Sequence, residues 1–305
     1  MYNSSLFLPF FFSSFCSLVR EISKLPAPRV RTQPVKHDDY PALQVFRKWV
    51  EELHRRFSPF PSNTTAICFR MLFPEEDIRR RYDIQEVKMT QLLADCFGVE
   101  AEVFQKWSLE ESSGCLGQEL KVVMEQSCSV NFISSPVCPS VTLTLLQDTD
   151  GSISPRTIDQ VDELLNELAS KSAYSHKSIR SQYPKNRNVT RATIFRSLFR
   201  PLCPLDAAVL TQIILKDLRP LLYPLTEFHY TAALTHFNTA SARMLTLEHA
   251  MTAWDPSGCF LRFYRMRPCI DEAAAFAGQP SSYIKNEILP KIASPIPVRV
   301  SFRTL

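Results

Sequence analysis

Glycine is scarce, with 6 residues in a chain of 305. Loops that cradle phosphate use two or three glycines close together, because the backbone must turn tightly and approach the ligand. Gly114 and Gly117 form the one close pair, and neither GxGxxG nor GxxxxGK[ST] occurs. Dinucleotide-binding and P-loop chemistry are therefore not indicated. The 9 cysteines are odd in number and none are spaced as CxxC. That pattern argues for buried free thiols rather than a disulfide framework or a zinc site. The 6 histidines form no HExxH, and GxSxG is absent. The apolar runs Leu6–Phe12 and Phe15–Val19 are too short to cross a membrane, lack a preceding basic stretch and are interrupted by Pro9. They read as a core helix, with Phe11, Phe15, Leu18, Val19 and Ile22 recurring at helical spacing. Charge is nearly balanced: 35 Lys and Arg against 31 Asp and Glu give 35 − 31 = +4.

Proline is plentiful, with 22 residues, and proline marks helix ends. The apolar periodicity predicts helices over Leu6–Lys24, Ala42–Phe57, Thr64–Leu72, Ile84–Phe97, Ser154–Ser170, Arg191–Phe199, Asp206–Leu218, Pro224–Phe237 and Met244–Trp254. Gly98 reads as a C-terminal cap, and Ser154 with Pro155 as a helix start. Trp49, Trp107 and Trp254 read as core. Leu116–Glu125 is compatible with a helix, and β-branched Val137–Leu146 with a loop or small peripheral hairpin. Beyond Pro256 the pattern weakens, leaving short helices at Asp271–Ala277 and Ser282–Ile288 and a strand at Val298–Phe302. The fold class is all-α. Glu75, Glu76 and Asp77 read as acids favouring a helix start rather than as metal ligands.

Charge of one sign concentrates between Lys177 and Arg219. Nine basic residues (Lys177, Arg180, Lys185, Arg187, Arg191, Arg196, Arg200, Lys216, Arg219) face two acids, Asp206 and Asp217, so 9 − 2 = +7. Ser178, Ser181, Asn186, Asn188, Thr190 and Thr193 are interleaved. Cations with short polar side chains and helix starts are what phosphate contact uses. A solvated helix face has the same composition, and both readings stay open on charge alone. Arg79, Arg80 and Arg81 form a smaller basic cluster.

The segment Ser152-Ile-Ser-Pro-Arg-Thr-Ile-Asp-Gln-Val-Asp-Glu-Leu-Leu-Asn-Glu-Leu-Ala169 resembles the "LTIxxVxxLLDxIA" helix of ATP-dependent DNA ligases. Leu210-Thr-Gln-Ile-Ile-Leu-Lys-Asp-Leu-Arg219 resembles "IRMIIKDLKLG" of the ligase IV-like branch. Ile67–Pro74 with Arg79–Gln85 is similar to that branch's "AMRLILP … RxxYGI". Gly114–Gly117 resembles a "GDxG" step, and Leu8–Phe10 the opening "PF". The order matches over roughly residues 6–255.

The resemblance implies a multi-helix DNA-binding domain over 1–255 and a diverged tail over 256–305. It implies nicked or double-stranded DNA as partner, end-joining repair proteins as further partners, no membrane, and a nuclear role in DNA repair and recombination, including non-homologous end joining. Carried over, Lys177, Arg180, Lys185, Arg187, Lys216 and Arg219 are the phosphate-contact candidates. The sequence departs from the family pattern where Cys115 replaces the acid of GDxG and where the glycine after KDLK is replaced, Arg219 being followed by Pro220. Full-length relatives use ATP and Mg, attaching the nucleotide to the lysine of KxDG. No lysine here is followed by xDG, so no cofactor and no ligase activity are expected of this stretch alone. The competing expectation is an α-helical protein-interaction scaffold without DNA affinity.

Overall fold

The structure, a computed structural model, describes residues 9–25, 40–57, 63–108, 115–130, 156–183, 189–224 and 244–276. These residues are mostly helical, and no strand occurs among them. The expected hairpin at Val137–Leu146, the helices at Pro224–Phe237 and Ser282–Ile288, and the strand at Val298–Phe302 lie outside the described residues.

The helices are α1 (Phe12–Ser23), α2 (Pro41–Phe57), α3 (Thr64–Leu72), α4 (Glu86–Phe97), α5 (Leu116–Val130), α6 (Ile158–Ser170), α7 (Lys177–Gln182), α8 (Arg191–Phe199), α9 (Pro204–Ile214), α10 (Arg219–Leu222), α11 (Leu247–Trp254), α12 (Cys259–Met266) and α13 (Ile270–Phe276). Two 3-10 turns, Pro74–Glu76 and Ala101–Ser108, sit between them. The apolar stripe of α1 (Phe12, Phe15, Leu18, Val19, Ile22) is buried against α2, α6, α9 and α10. Helix α9 is buried at every position from Asp206 to Ile214. Its buried positions are mostly apolar on every side, which places it at the centre of the core, with Asp206, Thr211 and Gln212 as the buried polar exceptions.

The first N–H groups of a helix lack partners within it, and α1 and α6 satisfy theirs mutually. Phe12 N–H donates to the Arg156 oxygen (2.9 Å) and Ile158 N–H to the Phe10 oxygen (2.8 Å). The start of α6 differs from the expected Ser154. Thr157 is the cap, with its hydroxyl accepting from Gln160 N–H and the Gln160 side chain accepting from Thr157 N–H. That reciprocal pair is a capping box. Gly98 ends α4 in the left-handed conformation (φ 70°), as expected.

Helices α12 and α13 fall in the stretch expected to be a diverged tail, and α12 has no counterpart among the helices expected from periodicity. Both pack into the body. The Phe260 ring meets Phe69 of α3 edge-on at 4.7 Å, and Asp271 of α13 pairs with Arg70 of α3. Trp254 joins the same cluster, edge-on to Phe69 at 5.5 Å, with its indole N–H donating to the Thr65 hydroxyl (3.2 Å).

Candidate nucleic-acid interface

The segment between Pro74 and α4 organises the charged side of the molecule. Along it, Arg80, Tyr82 and Ile84 are buried, while Arg81, Asp83 and Gln85 are exposed. The alternation sends one set of side chains into the core and the other to solvent.

The inward set builds a buried ion network. Arg80 is 1% exposed. It donates from Nε to Asp77 and from Nη1 to Asp162 of α6 at 2.8 Å. Arg70 holds the other Asp162 oxygen at 2.7 Å and also pairs with Asp271, which Arg79 meets at 2.9 Å. Burial works to raise the carboxyls of Asp77 and Asp162, but the adjacent cationic charges outweigh it. Asp77 is held at about 2 by Arg80 and Lys216, and Asp162 is held below its usual range by Arg80 and Arg70. Arg79 and Arg80 therefore brace α3, α6 and α13, and of the small basic cluster only Arg81 faces solvent.

The outward set is mounted on the same frame. Arg81 N–H donates to the Ser175 hydroxyl (3.0 Å), and His176 N–H donates to the Arg79 oxygen (2.9 Å). These bonds fix the turn leading into α7 beside Arg81. From α7, Lys177 and Arg180 are exposed and have no ion-pair partner among the described residues. Arg196 of α8 and Arg200, just past its end, are likewise exposed. Arg191 is half-buried, donating to the Lys171 oxygen (3.2 Å) with Asp83 3.8 Å away.

The remaining candidates differ in kind. Lys216 turns inward: its amine donates to the Asp77 backbone oxygen (3.0 Å) and lies 5.4 Å from the Tyr82 ring centre. Burial lowers the amine to about 8, against the raising effect of Asp77. Arg219 is exposed, but its guanidinium is gripped at both ends by Asp217, at 2.8 and 2.9 Å. Lys185 and Arg187 lie outside the described residues. No group of three or more His, Cys, Asp or Glu side chains converges as metal ligands among the described residues. No lysine of the sequence stands in a KxDG motif.

A model of the DNA ligase N terminus matches residues 11–222. The chain belongs to the DNA ligase N-terminal family. No curated protein matches it.

The family motifs now have physical content. Gly117 follows Cys115, and a Cβ there would sit 2.6 Å from the Ala208 oxygen. Glycine is what lets α5 and α9 approach so closely. Cys115, standing for the acid of the ligase motif, is 2% exposed at the start of α5. Burial raises its thiol, while the N–H groups of Gln118 and Gly117 that face the sulfur work to lower it. The Gln212 amide, oriented to match its neighbours, accepts from Gly117 N–H (3.1 Å) and donates to the Asp217 oxygen (2.6 Å). It thus links the GDxG-like step to the KDLR-like turn. Pro220, directly after the KDLR-like turn, occupies the first turn of α10, a position proline suits.

Proposed function

We propose that this chain is a DNA-binding module of ATP-dependent-ligase type that holds duplex DNA at a break through the phosphate backbone. The observation that carries this reading is the exposed pair Lys177 and Arg180 on α7, without ion-pair partners among the described residues and mounted through Ser175 and Arg81 on the buried ion network. Cations free of internal partners release counterions from DNA, whereas paired ones give little. Arg81, Arg196 and Arg200 add to the same charge, and the tract continues in sequence through Lys185 and Arg187. The role is positional and does not read bases. Likeness at Ile67–Pro74 and Leu210–Arg219 supports the end-joining, ligase IV-like branch, and with it nuclear repair and recombination and repair proteins as partners. Catalysis, with its ATP and magnesium, would belong to a portion carrying KxDG.

The test is affinity for nicked and intact duplex across a salt series. Removing one cation from a phosphate flattens the dependence of log K on log salt by about 0.9. Changing both Lys177 and Arg180 to Glu is expected to weaken binding and flatten the slope by roughly 2. No binding even at low salt overturns the proposal and leaves the helical protein-interaction scaffold. Labelling of a lysine by AMP on incubation with ATP would overturn the non-catalytic part.

A further inference from the structure

Tyr174 is 78% exposed, more than any other large hydrophobic side chain among the described residues. An aromatic ring left in water forgoes the burial that usually places it in a core or interface. Its position is nevertheless fixed. Tyr174 N–H donates to the Ser172 hydroxyl (3.2 Å). The Ser175 hydroxyl lies 2.8 Å from the Arg81 oxygen and 2.7 Å from the Ala169 oxygen, and accepts from Arg81 N–H. Ser172 and Ser175 are themselves 1% and 3% exposed. A rigid turn therefore holds an open aromatic face out into solvent. Two exposed cations belong to the same turn or are tied to it: Lys177, three residues on, and Arg81, whose backbone is bonded to the neighbouring Ser175.

Aromatic rings among cations are how proteins hold nucleic acid with exposed bases, the ring stacking on a base and the cations taking phosphates. In continuous duplex every base is covered on both faces by its neighbours. At a strand end, or a nick whose stack has opened, one face is bare. A ring on a fixed turn gains stacking only there. We propose that Tyr174 stacks on the bare face of a nucleobase at a break in duplex DNA, with Arg81 and Lys177 on the adjoining phosphates. The inference rests on the DNA-binding reading above and adds to it a device for telling broken from continuous duplex.

The experiment compares a relaxed, covalently closed DNA circle with the same DNA made linear, at one salt concentration. The proteins are wild type, Tyr174→Phe and Tyr174→Ala, and a fluorescent base analogue, 2-aminopurine, sits at the terminus of the linear form. Wild type and Tyr174→Phe are expected to favour the linear form and to quench the terminal analogue. Tyr174→Ala is expected to lose about tenfold on the linear form, to leave the analogue unquenched and to bind the circle as wild type does. Equal losses on both DNAs would put the ring along the sugar-phosphate backbone and overturn the proposal. So would a Tyr174→Ala protein indistinguishable from wild type, with Lys177→Glu still weakening both. Wild type that binds neither DNA overturns the DNA-binding reading itself.

Discussion

The Lys216 amine reaches the backbone oxygen of Asp77, 3.0 Å away, from a residue whose own backbone is left-handed (φ 66°). Lys216 lies just past the end of α9. Its N–H bonds to the Ile213 oxygen and the next N–H, of Asp217, to the Gln212 oxygen. That is a Schellman ending, whose left-handed residue is usually glycine. A lysine there carries strain, and it tethers the end of α9 to the 74–85 segment that presents Arg81. One side chain from the ligase-like KDLR motif is thus joined to the segment that resembles RxxYGI.

Two substitutions separate the strain from the tether. Lys216→Met keeps the strained backbone and loses the amine, and is expected to destabilise by about 2 kcal/mol, as for a hydrogen bond to a charged group. Lys216→Gly loses the amine but relieves the left-handed strain, which costs about 1–2 kcal/mol for a non-glycine residue. Urea unfolding should rank wild type and the glycine variant close together and the methionine variant clearly below. If the methionine variant matches wild type the tether reading fails, and if glycine is the worse of the two the strain reading fails.

The buried network sets the acid sensitivity. Asp77 titrates at about 2 in the fold against an ordinary value of 3.8. A lowered carboxyl stabilises the fold above the unfolded value, and that stability drains away as pH falls from about 3.8 through about 2. The shift corresponds to about 2 kcal/mol. Arg80→Met would strand Asp77 and Asp162 without their shared cation. Breaking a buried pair in this way costs about 3–5 kcal/mol. Denaturant melts at neutral pH and at pH 3 test both: wild type should lose stability on acidification, and Arg80→Met should lose less because its carboxyls are no longer held low.

Gly117 offers a purely steric test. Gly117→Ala would place a methyl 2.6 Å from the Ala208 backbone oxygen, and backbone cannot move aside as a flexible side chain can. The helices must part, at a cost of about 1–3 kcal/mol. A fall in Tm is expected, whereas an unchanged Tm would show that α5 and α9 are not packed so closely.

The elements legible in the sequence are those whose signal is local. Thr64–Leu72 and Arg191–Phe199 carry apolar periodicity between prolines or caps, and their bounds match. The start of α6 is ambiguous in sequence because Ser154 and Thr157 both precede the same apolar run. Only Thr157 has Gln160 three residues on, a signature that distinguishes the two. Helix α12 is only eight residues long, and its apolar face of Cys259, Phe260 and Phe263 stands among Arg262, Arg265 and Arg267; that face finds its partners in Phe69 of α3 and Phe276 of α13, both distant from its own run of sequence signal. The direction of the basic side chains is illegible for the same reason. Arg80 and Lys216 point inward because Asp162 and Asp77 await them, and those partners are distant in sequence. Composition locates positive charge but not which of it is already neutralised.

Asp83 brings an acid into the basic side at a strained position. Its φ is 55°, its side chain is 52% exposed, and it lies 3.8 Å from Arg191. The ligase-like RxxYGI pattern has glycine at this point, as a left-handed backbone favours. Asp83→Gly would relieve strain and forfeit an exposed ion pair, effects of opposite sign that are each about 1 kcal/mol or less. Stability should therefore change by less than about 1 kcal/mol. The electrostatic consequence is one-sided, because removing the acid takes the nearby counter-charge from Arg191. If this face meets phosphate, DNA affinity should rise and the salt slope steepen by up to about 1. An affinity that stays constant while stability holds would place the DNA elsewhere on the molecule, and the salt titration of this single variant against wild type decides between the two.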